Sequence, residues 1–507
     1  MLDLIIRNVQ ITDGSGRASY IGDVGVSDGK IVLAPQGAAK EEIDGTGKVL
    51  CPGFIDSHSH MDRMLGSLDE LAQLARLSQG VTTEVTAQCG SSVFPAAMSA
   101  KAWFDMVDAL PKGGNYAALV GLGSVRRAVM DCRDGVPTEE EMEKMKAYVR
   151  DGMEEGCFGV SSGLIYIPGV YSTTEELIEL TKEAKPYGGV YATHMRSESD
   201  HLVEAVEEAI KIAETAGVPL VISHHKAVGL SNSGKSVETL RLVHEAIGRG
   251  MSVTMDQYPY EATSSTLTNS IAPWYFTDGY AHLTERLKDP AFRAEVKAEI
   301  ESGNLSYNNG VRNAGGWDRV LIASAEHTPG AEGKTVTEYA ASVGKDVYEA
   351  YFDLLVENGC LKTKAIFFSI CEEDIDRIYM DENTVVGSDA VIETAKDHMH
   401  PRAFGTFARS ICRFHKEKGL VSFEEAVRKQ TSLTAERWGL ANKGLIRDGY
   451  DADLVLLDYD ALRDKADYVN PRQLTEGIEK VFVAGKCVFT DGHLTDEKPG
   501  RLLRKNR

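Results

Sequence analysis

The chain has 507 residues, 43% of them hydrophobic and 26% charged, which is typical of a globular protein larger than one simple domain. Its formal net charge of −21 is spread along the sequence, and this argues against nucleic acid or an anionic membrane as a partner. No run approaches ~18 apolar residues and the first residues lack a basic signal region, so we expect a cytoplasmic protein with reduced cysteines and no membrane span.

Both ends of the chain have the pattern of short strands separated by turns. Residues 1–48 alternate apolar runs with Gly-rich turns, and the same pattern returns within 440–507, for example in EKVFVAGKCVF. Two strand-rich ends around a different middle predict one small β-domain that is formed by both termini.

The middle of the chain, 49–439, alternates strand-like and helical runs. VTTEVTAQC, GVYATHM and VPLVISHH are strand-like, and patterns such as SDHLVEAVEEAIKIAETAG lie between such runs. Repeated strand–helix units favour an α/β fold with parallel strands, either a barrel or a doubly wound sheet. The rhythm breaks at about 262–318, which predicts an insertion, and the apolar run 365–370 leaves the number of strands uncertain by one.

The stretch CPGFIDSHSHMD, residues 51–62, ends an apolar run in two histidines. On a strand His58 and His60 share one face, about 7 Å apart, and both can reach one cation. Asp56 has the same parity and is a candidate to support them from beneath. Taken alone, the pattern is also that of two partly exposed histidines at a strand end.

Other residues of the metal-binding types also end predicted strands. They are Cys89, His194, His224 or His225, and Asp389. Catalytic groups in barrels come from the ends of several strands, and imidazole, thiolate and carboxylate together suit zinc better than magnesium or calcium. Neighbours on a strand alternate faces, so only one of His224 and His225 can point inward. We choose His224, whose parity Lys226 shares.

Two further patterns have simpler interpretations. The serine-hydrolase pattern G-x-S-x-G occurs as GVSSG at 159–163, but Pro168 and Gly169 interrupt the helix that a nucleophile elbow requires. His398 and His400 in DHMH are read as loop residues, with His400 a candidate to line the site.

The chain resembles the amidohydrolase superfamily and, within it, the D-aminoacylase (N-acyl-D-amino-acid deacylase) family. The resemblance runs nearly end to end, through PGFIDSHSH, TAQCGSS, GVSSGLIYIPG, THMRSE, ISHHKAVG, DQYPYEATSSTL, GSDA, HPRAFGTFAR and GLIRDGYDADLVLLD. It implies an α/β fold: a distorted (β/α)8 TIM-like barrel over 49–439 and a small β-domain from 1–48 and 440–507. It also implies that the insertion at about 262–318 is a mobile lid subdomain.

The resemblance also implies the site residues and one or two Zn²⁺ per chain. The implied metal ligands are His58, His60, Cys89, His194, His224 and Asp389. Cys89, His194 and His224 would hold the tighter zinc, and the others a weaker second metal. The implied substrate-binding residues are Lys226, for an α-carboxylate, and Tyr166, Tyr258, Ser264 and Arg377.

Several of these carried-over residues have a plain structural alternative. Arg377 lies in a helical pattern and reads equally as a surface arginine, and Tyr258 and Tyr166 read equally as packing residues. The role given to Ser264 could belong to Ser265. Met61 stands where the family often has aspartate, which puts the contacts of the first loop in question.

The implied activity is the zinc-dependent hydrolysis of N-acyl-D-amino acids to a D-amino acid and a carboxylate. Zinc lowers the pKa of bound water from 15.7 to roughly 7, and Asp389 would serve as general base and then general acid. The expected partner is this small-molecule substrate alone, and an oligomer is possible. The alternatives are a cyclic-amide hydrolase of the hydantoinase or dihydroorotase type, disfavoured because no lysine ends a predicted strand, and a non-enzymatic scaffold, which would lack ligands.

Overall fold

The computed structural model describes residues 1–65, 70–392 and 399–505, in which helices and strands alternate between two strand-rich ends. The strands are β1 (Leu2–Ile11), β2 (Tyr20–Ser27), β3 (Lys30–Leu33), β4 (Ala39–Asp44), β5 (Val49–Pro52), β6 (Phe54–Asp56), β7 (Val81–Thr86), β8 (Asn115–Ala118), β9 (Val120–Gly121), β10 (Gly159–Gly163), β11 (Val190–His194), β12 (Leu220–Ile222), β13 (Val253–Gln257), β14 (Ala262–Thr266), β15 (Val320–Ser324), β16 (Lys364–Phe368), β17 (Thr384–Val386), β18 (Leu454–Leu457), β19 (Ile478–Val483), β20 (Lys486–Thr490) and β21 (His493–Leu494). The α-helices are α1 (Glu70–Leu77), α2 (Ala100–Ala109), α3 (Leu122–Met130), α4 (Glu139–Glu155), α5 (Thr174–Lys182), α6 (Leu202–Ala216), α7 (Ser236–Gly248), α8 (Tyr280–Arg286), α9 (Pro290–Glu301), α10 (Gly310–Ala314), α11 (Val336–Val343), α12 (Val347–Asn358), α13 (Glu372–Met380), α14 (Arg402–Ile411), α15 (Phe423–Lys429) and α16 (Ser432–Trp438). No helix of the described residues is both long and apolar enough to cross a membrane.

The two ends of the chain build one nine-stranded sheet. Its order is β21-β20-β19-β18-β5-β1-β2-β3, and β4 pairs with β1. The N-terminal and C-terminal strands join where β5 runs antiparallel to β18. The apolar faces of these strands share a core that includes Ile6, Val24, Leu454 and Phe482. A small β-domain drawn from both termini is therefore present.

The middle of the chain closes a barrel of eight strand positions. One sheet has the order β6-β7-β8 and the other β17-β13-β12-β11-β10-β9, with β8 and β9 sharing one position. The amide of Ser57 donates to Val386 O at 3.1 Å and closes the ring between β6 and β17. The amide of Leu119 donates to Thr86 O at 3.1 Å, where the break between β8 and β9 distorts the barrel. The predicted distorted (β/α)8 barrel is confirmed.

Helix α6 illustrates why the barrel units form where the patterns predict. Its buried residues include Ala205, Ala209, Ile212 and Ala216, whose spacing places them on one face of a helix. The helix ends at Gly217, which takes the left-handed conformation with φ of 73°. The preceding strand β11 is buried along its whole length, as expected of a parallel strand covered on both faces.

Between β13 and β17 the chain leaves the barrel and forms a layer of its own. Strands β14, β16 and β15 make a separate antiparallel sheet, and helices α8–α12 belong to the same segment. Its apolar core includes Leu283, Val296, Trp317 and Phe352. The apolar run 365–370, which left the strand count uncertain, supplies β16 of this sheet. The inserted segment therefore continues past residue 318 to Phe368. The sequence predicted an earlier end because the later strands of the segment have the same apolar pattern as barrel strands.

Candidate metal centre and active site

Ligand-type side chains from several strand ends meet at one rim of the barrel. His58 and His60 follow β6, Cys89 follows β7, His194 ends β11, His224 follows β12 and Asp389 follows β17. The histidines and Cys89 are buried, and the Asp389 side chain is 14% exposed. All the predicted ligands therefore lie in one small region, although more than 300 residues of sequence separate the first from the last.

The Cys89 thiol is at the centre of the group. Its Sγ lies 3.4 Å from His58 Nε2, 3.4 Å from His224 Nε2 and 3.8 Å from His194 Nδ1. A sulfur and a nitrogen bound to one tetrahedral zinc are about 3.5 Å apart. The residues present thus fit a zinc ion. His58, which the resemblance implied as a ligand of the second metal, lies as near to the sulfur as His224 does.

The carboxylate of Asp389 approaches the histidines from the other side. Its Oδ1 lies 3.0 Å from His60 Nε2 and 3.5 Å from His58 Nε2. Its Oδ2 lies 2.7 Å from Nη1 of Arg402. His58 therefore lies between the thiol and the carboxylate, and donor atoms of His58, Cys89, His224 and Asp389 are all within 4.8 Å of one another.

The backbone at three of these ligands is in the left-handed region. The φ angles are 53° at Cys89, 36° at His224 and 50° at Asp389. Residues other than glycine rarely adopt such angles, and they cluster where a fold holds a functional side chain in one direction. These three residues each turn the chain immediately after a barrel strand.

Two further carboxylates hold the ligands in place. Asp256, the fourth residue of β13, has Oδ1 3.3 Å from His58 Nδ1 and accepts a hydrogen bond of 2.7 Å from the amide of His224. Asp56 accepts a 3.0 Å bond from the amide of His58 and pairs with Arg76. Asp56 thus supports the backbone of His58, and it is Asp256 that contacts the imidazole ring.

Burial sets the protonation of the ligands. It lowers the pKa of His60 and of His194 to about 4, so both imidazoles are neutral near pH 7 and offer lone pairs. It raises the pKa of the Cys89 thiol well above its usual range, so the thiol loses its proton only to a metal ion. Burial by itself would raise the pKa of Asp389, but Arg402 and the histidines hold it well below its usual range.

Four of the predicted substrate-binding residues line a narrow cavity of about 40 Å³ beside the ligands. They are Tyr166, Lys226, Tyr258 and Ser264. The Tyr166 ring packs edge-on against His194 at 5.0 Å, and Lys226 Nζ lies 5.5 Å from the centre of the Tyr258 ring. Ser265 lines the same cavity as Ser264, so the choice between the two serines stays open.

Arg377 does not reach this cavity. It lies on α13, where its Nη1 donates to Ser236 Oγ at 2.6 Å and to Asp374 Oδ1 at 2.8 Å. These bonds join α13 to α7 on the outside of the barrel. Arg377 as a substrate-binding residue is therefore wrong, and the surface alternative is the better description.

Three residues of the site were not singled out from the sequence. Arg402 begins α14 and lines the cavity, and Glu198 contacts both Lys226 Nζ at 2.5 Å and His224 Nδ1 at 2.8 Å. Arg402 and Glu198 lie in HPRAFGTFAR and THMRSE, two of the motifs that carry the resemblance. Asp256 is the first residue of the DQYPY motif. Each was inside a quoted motif, but nothing in the sequence alone pointed its side chain toward the rim.

His400 lines a larger cavity together with His60, Cys89 and Asp389, in line with its prediction as a residue beside the site. Its Nδ1 accepts a 3.1 Å bond from the amide of Arg402, and its Nε2 donates to Ala262 O at 3.1 Å, so it also anchors the start of α14. His398 lies outside the described residues. GVSSG forms the whole of β10, and Ser161 Oγ donates to Ala87 O, so no nucleophile elbow is present there. Met61 is buried in the apolar core beside the first loop.

The sequence and the structure both match known proteins. A model of the amidohydrolase family matches residues 41–489. D-aminoacylase of Alcaligenes xylosoxydans xylosoxydans is 34% identical, over 99% of this chain and 98% of that protein. N-acyl-D-aspartate deacylase of the same organism is 33% identical, over 99% of this chain and 95% of that protein. The resemblance drawn from the motifs is confirmed.

The fold agrees with these relatives. The crystal structure of N-acyl-D-glutamate deacylase from Bordetella bronchiseptica, complexed with zinc and a phosphonate inhibitor, superposes with a TM-score of 0.84. That protein is 30% identical, and the match covers 99% of each chain. A D-hydantoinase structure superposes with a TM-score of 0.58 at 18% identity, which shows a shared fold alone.

Proposed function

The chain belongs to the amidohydrolase family, and from that premise we propose that it hydrolyses the amide bond of N-acyl-D-amino acids, releasing a D-amino acid and a carboxylate. Relatives that match it nearly end to end are a D-aminoacylase and an N-acyl-D-aspartate deacylase. The observation that carries the proposal is the meeting of zinc-type ligands with two cationic side chains, Lys226 and Arg402, in one cavity.

In this proposal the metal is bound by Cys89 and by the ligand side chains that surround it. Zinc bound by them supplies a Lewis acid that lowers the pKa of a coordinated water to roughly 7 and polarises a carbonyl. The proposed content is one or two ions per chain, since His58 is close to both Cys89 and Asp389. Asp256 and Glu198 orient the imidazoles of His58 and His224.

Asp389 is the proposed general base and acid. One of its carboxylate oxygens takes a proton from the attacking water and passes it to the nitrogen of the leaving amine. Its low pKa supports the first step, because the group is ionised before reaction. Arg402, at 2.7 Å from Oδ2, supplies the positive charge that keeps it so.

The α-carboxylate of the substrate is proposed to bind between Lys226 and Arg402. Both cations line the cavity, and both lie against the face of Tyr258, at 5.5 Å and 4.9 Å from the ring centre. Tyr258 and Ser264 add hydroxyl groups at the same end. Two cations on one carboxylate give charge-assisted bonds, which are the strong ones in a buried site.

The test is an assay of N-acetyl-D- and N-acetyl-L-amino acids with the zinc-loaded protein and the chelated protein. We expect turnover of D-substrates only, lost on chelation and restored by Zn²⁺. Full activity after metal removal would refute the metal chemistry. Asp389→Asn should bind zinc yet lose turnover, and a wild-type rate for that variant would remove Asp389 from the mechanism.

No observation favours the alternative functions. Hydantoinases share the fold alone, and turnover of hydantoin or dihydroorotate without turnover of N-acyl amino acids would favour that branch. The cytoplasmic location and the oligomeric state stay predictions from the sequence.

A further inference from the structure

One wall of the cavity beside the metal ligands comes from the inserted segment and carries carboxamide side chains. Asn269, Asn308 and Asn313 all line it. They follow β14 or lie near the short helix α10, so none belongs to the barrel. Because the carboxamides line the same cavity as Lys226 and Arg402, the side chain of a substrate whose α-carboxylate is held there can contact this wall.

The three carboxamides are linked in a chain. Asn313 Nδ2 donates to Asn308 Oδ1 at 2.6 Å, and Asn308 Nδ2 donates to Asn269 Oδ1 at 3.3 Å. Asn313 is 3% exposed. Within the described part of the chain, Asn269 Nδ2 and Asn313 Oδ1 make no hydrogen bond. The wall thus offers a free donor at one end and a free acceptor at the other.

The three carboxamides themselves carry no charge. Asn269 and Asn308 also line a larger cavity of about 660 Å³, whose Arg196 and Lys211 pair with Glu208 and Glu175. Among the described residues, the charged ones that line the narrow cavity are Glu198, Lys226, Asp389 and Arg402. Asp389 belongs to the metal site, and Glu198 pairs with Lys226 at 2.5 Å. Lys226 and Arg402 are taken by the α-carboxylate in the proposed function.

Hydrogen-bond chemistry then discriminates between substrate side chains. A carboxylate only accepts hydrogen bonds, and burying it without a cation costs far more than burying a neutral amide. An apolar side chain would displace water from the free donor and acceptor of the wall and leave both unpaired, which weakens its binding. A primary carboxamide both donates and accepts, so it can pair with the donor or with the acceptor of the wall.

We propose that the preferred substrates are N-acyl-D-amino acids whose side chain ends in a carboxamide, D-glutamine or D-asparagine, read by Asn269, Asn308 and Asn313. This inference rests on the proposed deacylase function and names its substrate class. It separates the chain from its relatives that act on N-acyl-D-aspartate or N-acyl-D-glutamate.

The test measures kcat/KM of the zinc-loaded protein for substrates of matched shape. N-acetyl-D-glutamine is compared with N-acetyl-D-glutamate, and N-acetyl-D-asparagine with N-acetyl-D-aspartate and N-acetyl-D-leucine. We expect the amides to exceed their acidic and apolar counterparts at least about tenfold. Equal or faster turnover of an acidic or apolar counterpart would overturn the inference and leave the deacylase function standing. No turnover of any N-acyl-D-amino acid would refute both.

A variant separates recognition from folding. Asn269→Lys places an ammonium at the wall, and we expect it to lower the ratio of D-glutamine to D-glutamate turnover at least about tenfold. Asn470→Lys makes the same change at an exposed position away from the cavity and should leave the ratio unchanged. The ratio does not depend on the folded fraction, so an unchanged ratio in Asn269→Lys would overturn the proposed reading of the wall.

Discussion

Two clusters of buried polar side chains lie at different places on this barrel, and they are satisfied in different ways. At the metal rim, His58 Nε2 and His224 Nε2 each lie 3.4 Å from Cys89 Sγ, so three ligand atoms face one another. At the junction with the β-domain, Lys443 Nζ pairs with Asp451 at 3.1 Å and with Asp453 at 2.6 Å. Asn115, the first residue of β8, adds a 3.0 Å bond to Asp453. The polar groups of the junction pair with one another, whereas the ligand atoms of the rim are available to a metal ion.

The difference teaches where a barrel uses buried charge for stability and where it uses it for chemistry. The C-terminal ends of barrel strands carry reacting groups, and the N-terminal ends carry structure. The ligands end or follow their strands, while Asn115 begins one. Substitutions at the rim should therefore weaken metal binding with little effect on stability. Substitutions at the junction should lower stability with little effect on metal binding.

The largest effect is expected from Cys89→Ala. The variant loses the sulfur at the centre of the ligands, and with it several kcal/mol of metal-dependent catalysis, so kcat/KM should fall at least about 1,000-fold. The free energy of unfolding of the metal-free protein should change little. Zinc content by elemental analysis and a denaturant titration check both. A wild-type zinc content would contradict the placement of the thiol.

The opposite outcome is expected from Lys443→Met. Removing the buried cation leaves Asp453 without its charged partner, so the free energy of unfolding should fall by about 3 kcal/mol. Zinc content and kcat of the folded fraction should stay at the wild-type level. Lys101→Met is the control, because Lys101 pairs with Asp105 on the exposed face of α2. Equal losses in the two variants would remove the distinction between a buried and an exposed pair.

A smaller effect on the rim is expected from Asp256→Asn. The carboxylate orients the ring of His58 and accepts from the amide of His224, so its loss should weaken zinc affinity about 10–100-fold. Competition with a chelator of known affinity measures this. An unchanged affinity would mean that the 3.3 Å approach to Nδ1 does not hold the ring.

The smallest expected effect is the dependence of zinc affinity on pH. Because burial raises the pKa of Cys89, the thiol is protonated in the metal-free protein near pH 7 and must release that proton on binding. Zinc affinity should therefore rise about tenfold per pH unit between about pH 6 and 8. His60 and His194, with pKa values of about 4, stay neutral throughout this range and add no slope. A flat profile would contradict a protonated thiol.

The ligands were predictable because each follows an apolar run. A buried parallel strand is recognisable in sequence, and a polar residue at its end has few places to go other than the rim. Arg377 was implied by the resemblance alone, and its helical pattern does not show whether the side chain faces the site or the outer surface. The reasoning from strand ends passed over Arg402, which enters the site from the first turn of α14 and ends no strand.

What the sequence by itself determined is the set of strand–helix units, the strand-rich ends and the residues at the strand ends, because these depend on local periodicity and on chain order. Tertiary structure alone decided which of Asp56 and Asp256 touches a ring, that β16 belongs to the inserted layer, and that Asn269, Asn308 and Asn313 form one wall. These are distances between segments far apart in the chain, and they depend on strand register, on backbone turns such as that at His224, and on packing of the insertion over the rim.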